Sequence, residues 1–188
     1  MTETIPFISR RAVAPKPGNG FPEVHRLHHF AYKCRNARET VAFYEGILGL
    51  PLASVVSHDY VPSTGEFQPY CHIFFEMADG SYIAFFDIFD GKLHKPDPDT
   101  PTWVNHLALQ VDSHEALLIA KQKLQANGVD VLGPTIHGTF DSIYFFDPNG
   151  IRLELAWDKA DTEVFVKSAR TAHEKFEAVM KKYAPDQN

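Results

Sequence analysis

The sequence predicts an α+β fold in which one βαβββ unit is used twice, and three observations carry that prediction. Landmarks coincide when two stretches of the chain are aligned: His29-x-Ala31 matches His106-x-Ala108, and the helix-ending Gly49 and Gly128 fall 20 and 22 residues later. Phe74-Phe75-Glu76-x-x-x-Gly80 then matches Phe145-Phe146-Asp147-x-x-Gly150 with one residue's difference. Within each stretch, strand alternation gives way to helical spacing and then returns to short strands, giving copies of about 55 residues.

In chain order, residues 1–24 carry four prolines and no periodicity, and are expected to be an N-terminal arm outside the core. From Leu27 to Cys34 the residues alternate as a strand, with His29, Ala31 and Lys33 on the less apolar side. Asn36 and Glu39 form a capping-box signal, Val41, Tyr44, Ile47 and Leu48 recur at helical spacing, and Gly49 stops the helix. Strands follow near 52–58, 71–77 and 81–88, the last two split by Ala78-Asp79-Gly80. This is module 1, about 27–88, and the proline-rich 89–102 reads as a linker to module 2, about 103–158. Val104 to Val111 alternates, Asp112 with Glu115 is expected to cap a helix carrying Leu117, Ala120 and Leu124, and Gly128 ends it. Strands are expected near 129–132, 141–146 and 151–157, so that 25–160 form one paired domain. Residues 161–188 make a C-terminal helix and tail, with Val164, Ala169, Ala172, Phe176 and Met180 as the apolar positions of a helix over 161–183 that docks or dimerises.

Composition narrows the function classes. The 188 residues are 44% hydrophobic and 22% charged, which excludes a wholly disordered chain. No apolar run approaches the ~18 residues of a membrane span, and the opening MTETIPFISRR has no apolar core ahead of a cleavage site. Net charge is −6 with the basic residues scattered, so neither nucleic acid nor a membrane surface is an expected partner. Cys34 and Cys71 read as free thiols in a reducing compartment, and a cytoplasmic location is expected.

Ten histidines invite a search for metal-ligand spacing. Asp147-Pro148-Asn149-Gly150 has the residue preferences of a type I turn followed by a left-handed glycine, which makes a three-residue hairpin. Counting outward from that turn pairs Asp147 with Ile151 and sets Tyr144 opposite Glu154, on a face shared with Arg152 and Ala156. Glu154 stands between Leu153 and Leu155, where a carboxylate is costly to bury unless it is paired or binds metal. His29 and His106 hold equivalent repeat positions on the less apolar faces of their strands. Two histidines and one carboxylate leave three faces of an octahedral metal open.

These residues resemble a known family. His29-Phe30-Ala31-Tyr32, Phe43-Tyr44-x-x-Ile47-Leu48-Gly49-Leu50, His106-Leu107-Ala108-Leu109 and Asp147-Pro148-Asn149-Gly150-Ile151-x-Leu153-Glu154-Leu155 are similar to the vicinal oxygen chelate superfamily of glyoxalases, epimerases, resistance proteins and extradiol dioxygenases. The resemblance covers about residues 27–158 and implies two βαβββ modules forming a half-open mixed β-barrel around one divalent metal, held by His29, His106 and Glu154. His28 competes with His29, but repeat alignment and strand facing favour His29. The fourth ligand of glyoxalases would align with Ala84, which cannot coordinate, so the three-ligand set resembles that of extradiol dioxygenases with Fe(II).

That likeness implies further roles. Tyr144, ten residues before Glu154, and His137 in the preceding loop would hydrogen-bond the substrate. The acid–base histidine of such enzymes would fall close to Tyr82; His72, on the same cleft face, is the candidate to replace it, so His72 or Tyr82 would shuttle the proton. Phe67, Tyr70, Phe74, Phe86 and Trp103 promise an apolar aromatic cleft. The expected function is therefore an extradiol-type dioxygenase acting on a small aromatic or catecholic substrate with dioxygen, in a homo-oligomer. The alternatives are a lyase, isomerase or epimerase using Mn, Zn, Ni or Co, and a metal-free binding protein like those that confer bleomycin resistance.

Overall fold

The computed structural model describes residues 24–184 together with Gly20 and Pro22. The arm expected over 1–24 lies outside the described residues apart from Gly20, Pro22 and Val24, as does the tail beyond Ala184. The first module comprises β1 (His29–Cys34), α1 (Ala37–Val41, widening into a π-helical turn over Ala42–Ile47), β2 (Leu52–Tyr60), β3 (Phe67–Glu76) and β4 (Tyr82–Asp87). The second comprises β5 (Leu107–Gln110), α2 (His114–Ala126), β6 (Leu132–Ile136), β7 (Phe140–Phe146) and β8 (Arg152–Asp158). Two helices follow, α3 (Thr162–Arg170) and α4 (Ala172–Tyr183).

Each module builds a four-stranded mixed sheet of the same topology, β1-β4-β3-β2 and β5-β8-β7-β6. The β1–β4 and β5–β8 pairs are parallel, as a strand–helix–strand crossover requires, and the remaining pairs are antiparallel. Among the described residues no ladder joins β1 to β5, so the sheets are curled but do not close into a barrel.

Local chemistry explains most boundaries. Asn36, in extended conformation, caps α1 by accepting from the Arg38 and Glu39 N–H groups at 2.9 and 3.2 Å. The widened turn replaces the plain helix the spacing suggests, with Leu48 N–H reaching back to the Phe43 carbonyl at 3.0 Å. In module 2 the cap is Ser113 and not Asp112: Ser113 is the extended residue, and its hydroxyl accepts from Ala116 N–H at 3.0 Å. The strand expected from Val104 begins at Leu107, because Val104 N–H closes a turn onto the Pro101 carbonyl. His106 therefore sits just before its strand.

The sixth strand also differs from expectation, starting at Leu132 and running to Ile136 through Gly133-Pro134. It is an edge strand, where proline removes no ladder bond that a neighbour needs. Gly133 adopts φ +104°, and a Cβ there would lie 2.6 Å from the Ser142 carbonyl, so only glycine permits this approach of β6 to β7.

One apolar core serves both modules. Phe43, Tyr44, Ile73, Phe75, Ile83 and Phe85 of the first meet Leu117, Leu124, Ile143, Phe145 and Leu153 of the second, all buried. Each such side chain contributes roughly 1.5–3 kcal/mol by leaving water. The seam is polar as well. Tyr44 Oη donates to Asp147 Oδ2 at 3.1 Å, Asn149 Nδ2 to Thr40 Oγ1 at 3.2 Å, and Arg35 N–H to Asn149 Oδ1 at 3.0 Å. The β7–β8 hairpin thus anchors α1 of the other module.

Both sheets lie in one compact unit, His25–Asp158, and α3 and α4 belong to a second. The single helix expected over 161–183 is two, broken at Thr171. Its hydroxyl bonds back to the Lys167 and Ser168 carbonyls at 3.2 and 3.3 Å, competing with helix continuation. Among the described residues no helix is long and apolar enough to cross a membrane.

Candidate functional site

The turn between β7 and β8 sets the register from which the site is built. Gly150 at φ +79° and the Asp147 N–H to Ile151 carbonyl bond of 3.0 Å close the hairpin. Tyr144 then lies directly opposite Glu154, with Ala108 as Glu154's partner on β5.

Four expected site residues form one connected chain on this sheet. His106 Nε2 lies 3.0 Å from Glu154 Oε2. Tyr144 Oη donates to Glu154 Oε1 at 3.1 Å, and His137 Nε2 is 2.8 Å from Tyr144 Oη. Because the phenol gives its proton to the carboxylate, His137 donates through Nε2–H, which leaves its Nδ1 as an acceptor. Burial raises the Tyr144 pKa, and the Glu154 charge raises it further, so this phenol is a donor and not a phenolate.

Glu154 is only 4% exposed, the cost of which its partners offset. Ser142 Oγ, fully buried, also donates to Glu154 Oε1. Ser142 has no role in the sequence reading, yet alternation along β7 sets it on the face of Tyr144, and that signal was available. Arg152 was placed on the Glu154 face without a role; its guanidinium lies over the Tyr144 ring, 4.3 Å from the centroid.

The donors around His106 bear on whether a cation fits there. His106 Nδ1 lies 3.0 Å from the Val104 carbonyl, which only accepts, so Nδ1 carries a proton. Nε2 faces a carboxylate, which in its ionised form also only accepts. A neutral imidazole has one N–H and cannot satisfy both, so either a second ring proton or a metal cation stands between Nε2 and Oε2. In the metal case the Val104 carbonyl fixes the ring as outer partners of ligating histidines do. The 3.0 Å separation also equals the edge of an octahedron with bonds of about 2.1 Å. His106 and Glu154 fit a metal.

His29, the third expected ligand, does not join them. It lies in the first sheet with its ring 6.0 Å from that of His72 and 5.6 Å from that of Phe74, while its Nδ1 is 2.7 Å from His28 Nδ1. Among the described residues no three His, Cys, Asp or Glu side chains gather closely enough to hold a metal. His72 and Tyr82 also belong to this first cluster and are not brought to the Tyr144 chain. Tyr82 pairs with His29 across β1–β4, and the His72 ring stacks on Phe86 with centroids 3.6 Å apart. Burial and then the neighbouring His29 push the His72 pKa down to about 4, and its buried Nε2 has no partner among the described residues. Ala84, fully buried, occupies the position equivalent to Glu154, opposite Phe74 and beside Ala31.

Residues 26–155 match the sequence family described as the Glyoxalase/Bleomycin resistance protein/Dioxygenase superfamily. No curated protein matches the chain. Among solved structures, a glyoxalase/dioxygenase from Nostoc punctiforme is 26% identical, with 79% of this chain and 98% of that one covered and a TM-score of 0.55. The trypanothione-dependent glyoxalase I of Leishmania major is 18% identical over 85% of this chain and 97% of its own, with a TM-score of 0.55. A mutant of the genomically encoded fosfomycin resistance protein of Listeria monocytogenes, complexed with Mn(II) and 1S,2S-dihydroxypropylphosphonic acid, is 21% identical over 75% of this chain and 97% of its own, with a TM-score of 0.54. The last two likenesses are of fold alone. With the repeated βαβββ topology and a family match that spans both sheets, the chain belongs to the glyoxalase/bleomycin resistance protein/dioxygenase superfamily.

Proposed function

We propose that the chain is a metal-dependent enzyme of this superfamily, and specifically a non-haem Fe(II) dioxygenase of extradiol type acting on a small aromatic diol. The observation that carries the reading is the connected chain His137–Tyr144–Glu154–His106. It pairs two metal-ligating groups with two hydrogen-bonding groups able to face a chelated diol. The buried Ala84 supports it too, since it supplies no fourth protein ligand.

In this reading His106, Glu154 and His29 hold the metal. His29 begins β1 and His106 precedes β5, and both strands are open sheet edges. A contact between those edges, within one chain or between two copies of a homo-oligomer, is what would complete the ligand set. When bound, Fe(II) supplies the Lewis acidity and redox capacity that join a vicinal diol to dioxygen. The overall reaction breaks one ring carbon–carbon bond beside the diol and incorporates both oxygen atoms. On binding the diol, Tyr144 turns its single O–H from Glu154, which keeps the Ser142 hydroxyl as a donor, to a substrate oxygen. His137, with Nε2–H committed to Tyr144 Oη, accepts the substrate's proton at Nδ1. His72 and Tyr82 enter as proton carriers only through the same closure that brings His29.

The test is elemental analysis followed by oxygen uptake. Purified protein should hold about one divalent metal per complete ligand set, and the Fe(II) form should consume oxygen with a catechol and yield a yellow ring-opened product. Metal bound without oxygen uptake across a broad catechol panel would overturn ring cleavage in favour of a redox-neutral lyase or isomerase using Mn, Zn, Ni or Co. Protein that takes up no metal would leave a binding protein.

A further inference from the structure

A cavity of about 770 Å³ adjoins the Tyr144 end of the site, and Trp103, Tyr144, Phe146 and Arg152 are among its lining residues. Among the described residues, Arg152 and Asp130 are the only charged ones on its wall. Arg152 lies two residues before Glu154 on the same face of β8. One guanidinium nitrogen donates to the Trp103 carbonyl at 2.8 Å, and the group rests over the Tyr144 ring. Among the described residues no carboxylate pairs with it, and its remaining N–H donors have no protein acceptor. A guanidinium is a planar fork of five donors suited to bidentate carboxylate recognition, so most of its capacity is unused here.

We propose that Arg152 anchors an anionic substituent of the substrate, which makes the substrate class an aromatic diol bearing a carboxylate. This rests on the diol reading of the His106–Glu154 site. The geometry sets the size: the guanidinium lies over the Tyr144 ring, while Glu154 takes that ring's hydroxyl. The anchor and the Glu154 carboxylate thus flank the same phenol, which suits a substrate of a single ring. The charge sets the valence. With a single arginine opposed by Asp130, the cavity suits a monoanion and not a phosphate dianion. The exposed faces of Trp103 and Phe146 offer apolar contact to the ring between.

Anaerobic calorimetric titration of the Fe(II)-loaded protein tests this without turnover. 3,4-Dihydroxybenzoate should bind at least tenfold tighter than 3,4-dihydroxybenzamide, its neutral isostere, and 3,4-dihydroxyphenylphosphonate should bind no tighter than the benzoate. Arg152→Gln should reduce the acid preference to within twofold while leaving the amide's affinity and the metal content unchanged. A wild-type protein that does not distinguish acid from amide overturns the proposal whatever the variant does. So does a preference that survives Arg152→Gln, or tighter binding of the phosphonate. Failure of the two readings is separable. Acid preference without oxygen uptake upholds Arg152 and overturns ring cleavage, whereas oxygen uptake with equal affinity for acid and amide does the reverse.

Discussion

The two sheets of this protein share a backbone plan and differ in chemistry at matching places. On β3 and β4, Phe74 faces Ala84; on β7 and β8, Tyr144 faces Glu154. One step along each ladder, His72 opposite Phe86 corresponds to Ser142 opposite Ala156. The first sheet therefore holds an aromatic cluster around a histidine whose buried nitrogen has no partner among the described residues. The second holds a carboxylate with two hydroxyl donors on Oε1 and the His106 ring beside Oε2. Topology and register are duplicated, but the polar work falls to one copy. A repeat sets where side chains meet, and the residues at two facing positions decide whether that meeting is chemical or only apolar.

Substitutions that exchange these positions sharpen the contrast, and the largest effect should come from Glu154. Glu154→Ala should strip most of the bound metal, measured by elemental analysis, because one imidazole is left on that sheet to hold it. Undiminished metal would place the site elsewhere. The reverse exchange, Ala84→Glu, puts a carboxylate at a fully buried position beside Phe74. Without metal it should cost about 3–5 kcal/mol as an uncompensated buried charge. Added divalent metal should restore part of that in thermal melts if His29 and the new carboxylate bind it together, and a melt indifferent to metal would show they do not.

Tyr144→Phe makes the second sheet resemble the first at one atom. Metal content should be unchanged, and catechol turnover should fall roughly 10²–10³-fold, the worth of one preorganised donor in a dry site. Equal turnover would remove Tyr144 from the substrate contact. The smallest effect belongs to the seam. Asn149→Ala removes the acceptor of the Arg35 N–H and the donor to Thr40 Oγ1, and chemical denaturation should show a loss of about 1–3 kcal/mol with metal binding retained. A loss of metal in that variant would mean the seam, and not only the second sheet, shapes the site.

Much of this site was legible before the structure. The preferences of Asp147-Pro148-Asn149-Gly150 are local, and from them the facing of Tyr144 and Glu154 followed by counting. Repeat alignment likewise led to Ala84 as the counterpart of Glu154. Other features were not legible. Gly133-Pro134 reads as a strand breaker, and only its position on a sheet edge shows why β6 passes through it. Val104's carbonyl fixes the His106 ring, but a turn starting at Pro101 had to be formed before that contact existed. The distance between His29 and His106 depends on how two open edges are arranged, which no spacing within either strand encodes.

What the sequence by itself determined is the repeated βαβββ plan, the hairpin registers and the face on which each polar residue lies. These follow from alternation, turn preferences and helix stops, which act over a few residues. Tertiary structure decided which of those residues touch. It joined His106 to Glu154 and His137 to Tyr144, set Arg152 over an aromatic ring, and left His29 with His72 in the other sheet. Contacts of that kind depend on the packing of elements far apart in the chain, where one shared core and a polar seam between α1 and the β7–β8 hairpin fix relative positions to within a hydrogen bond.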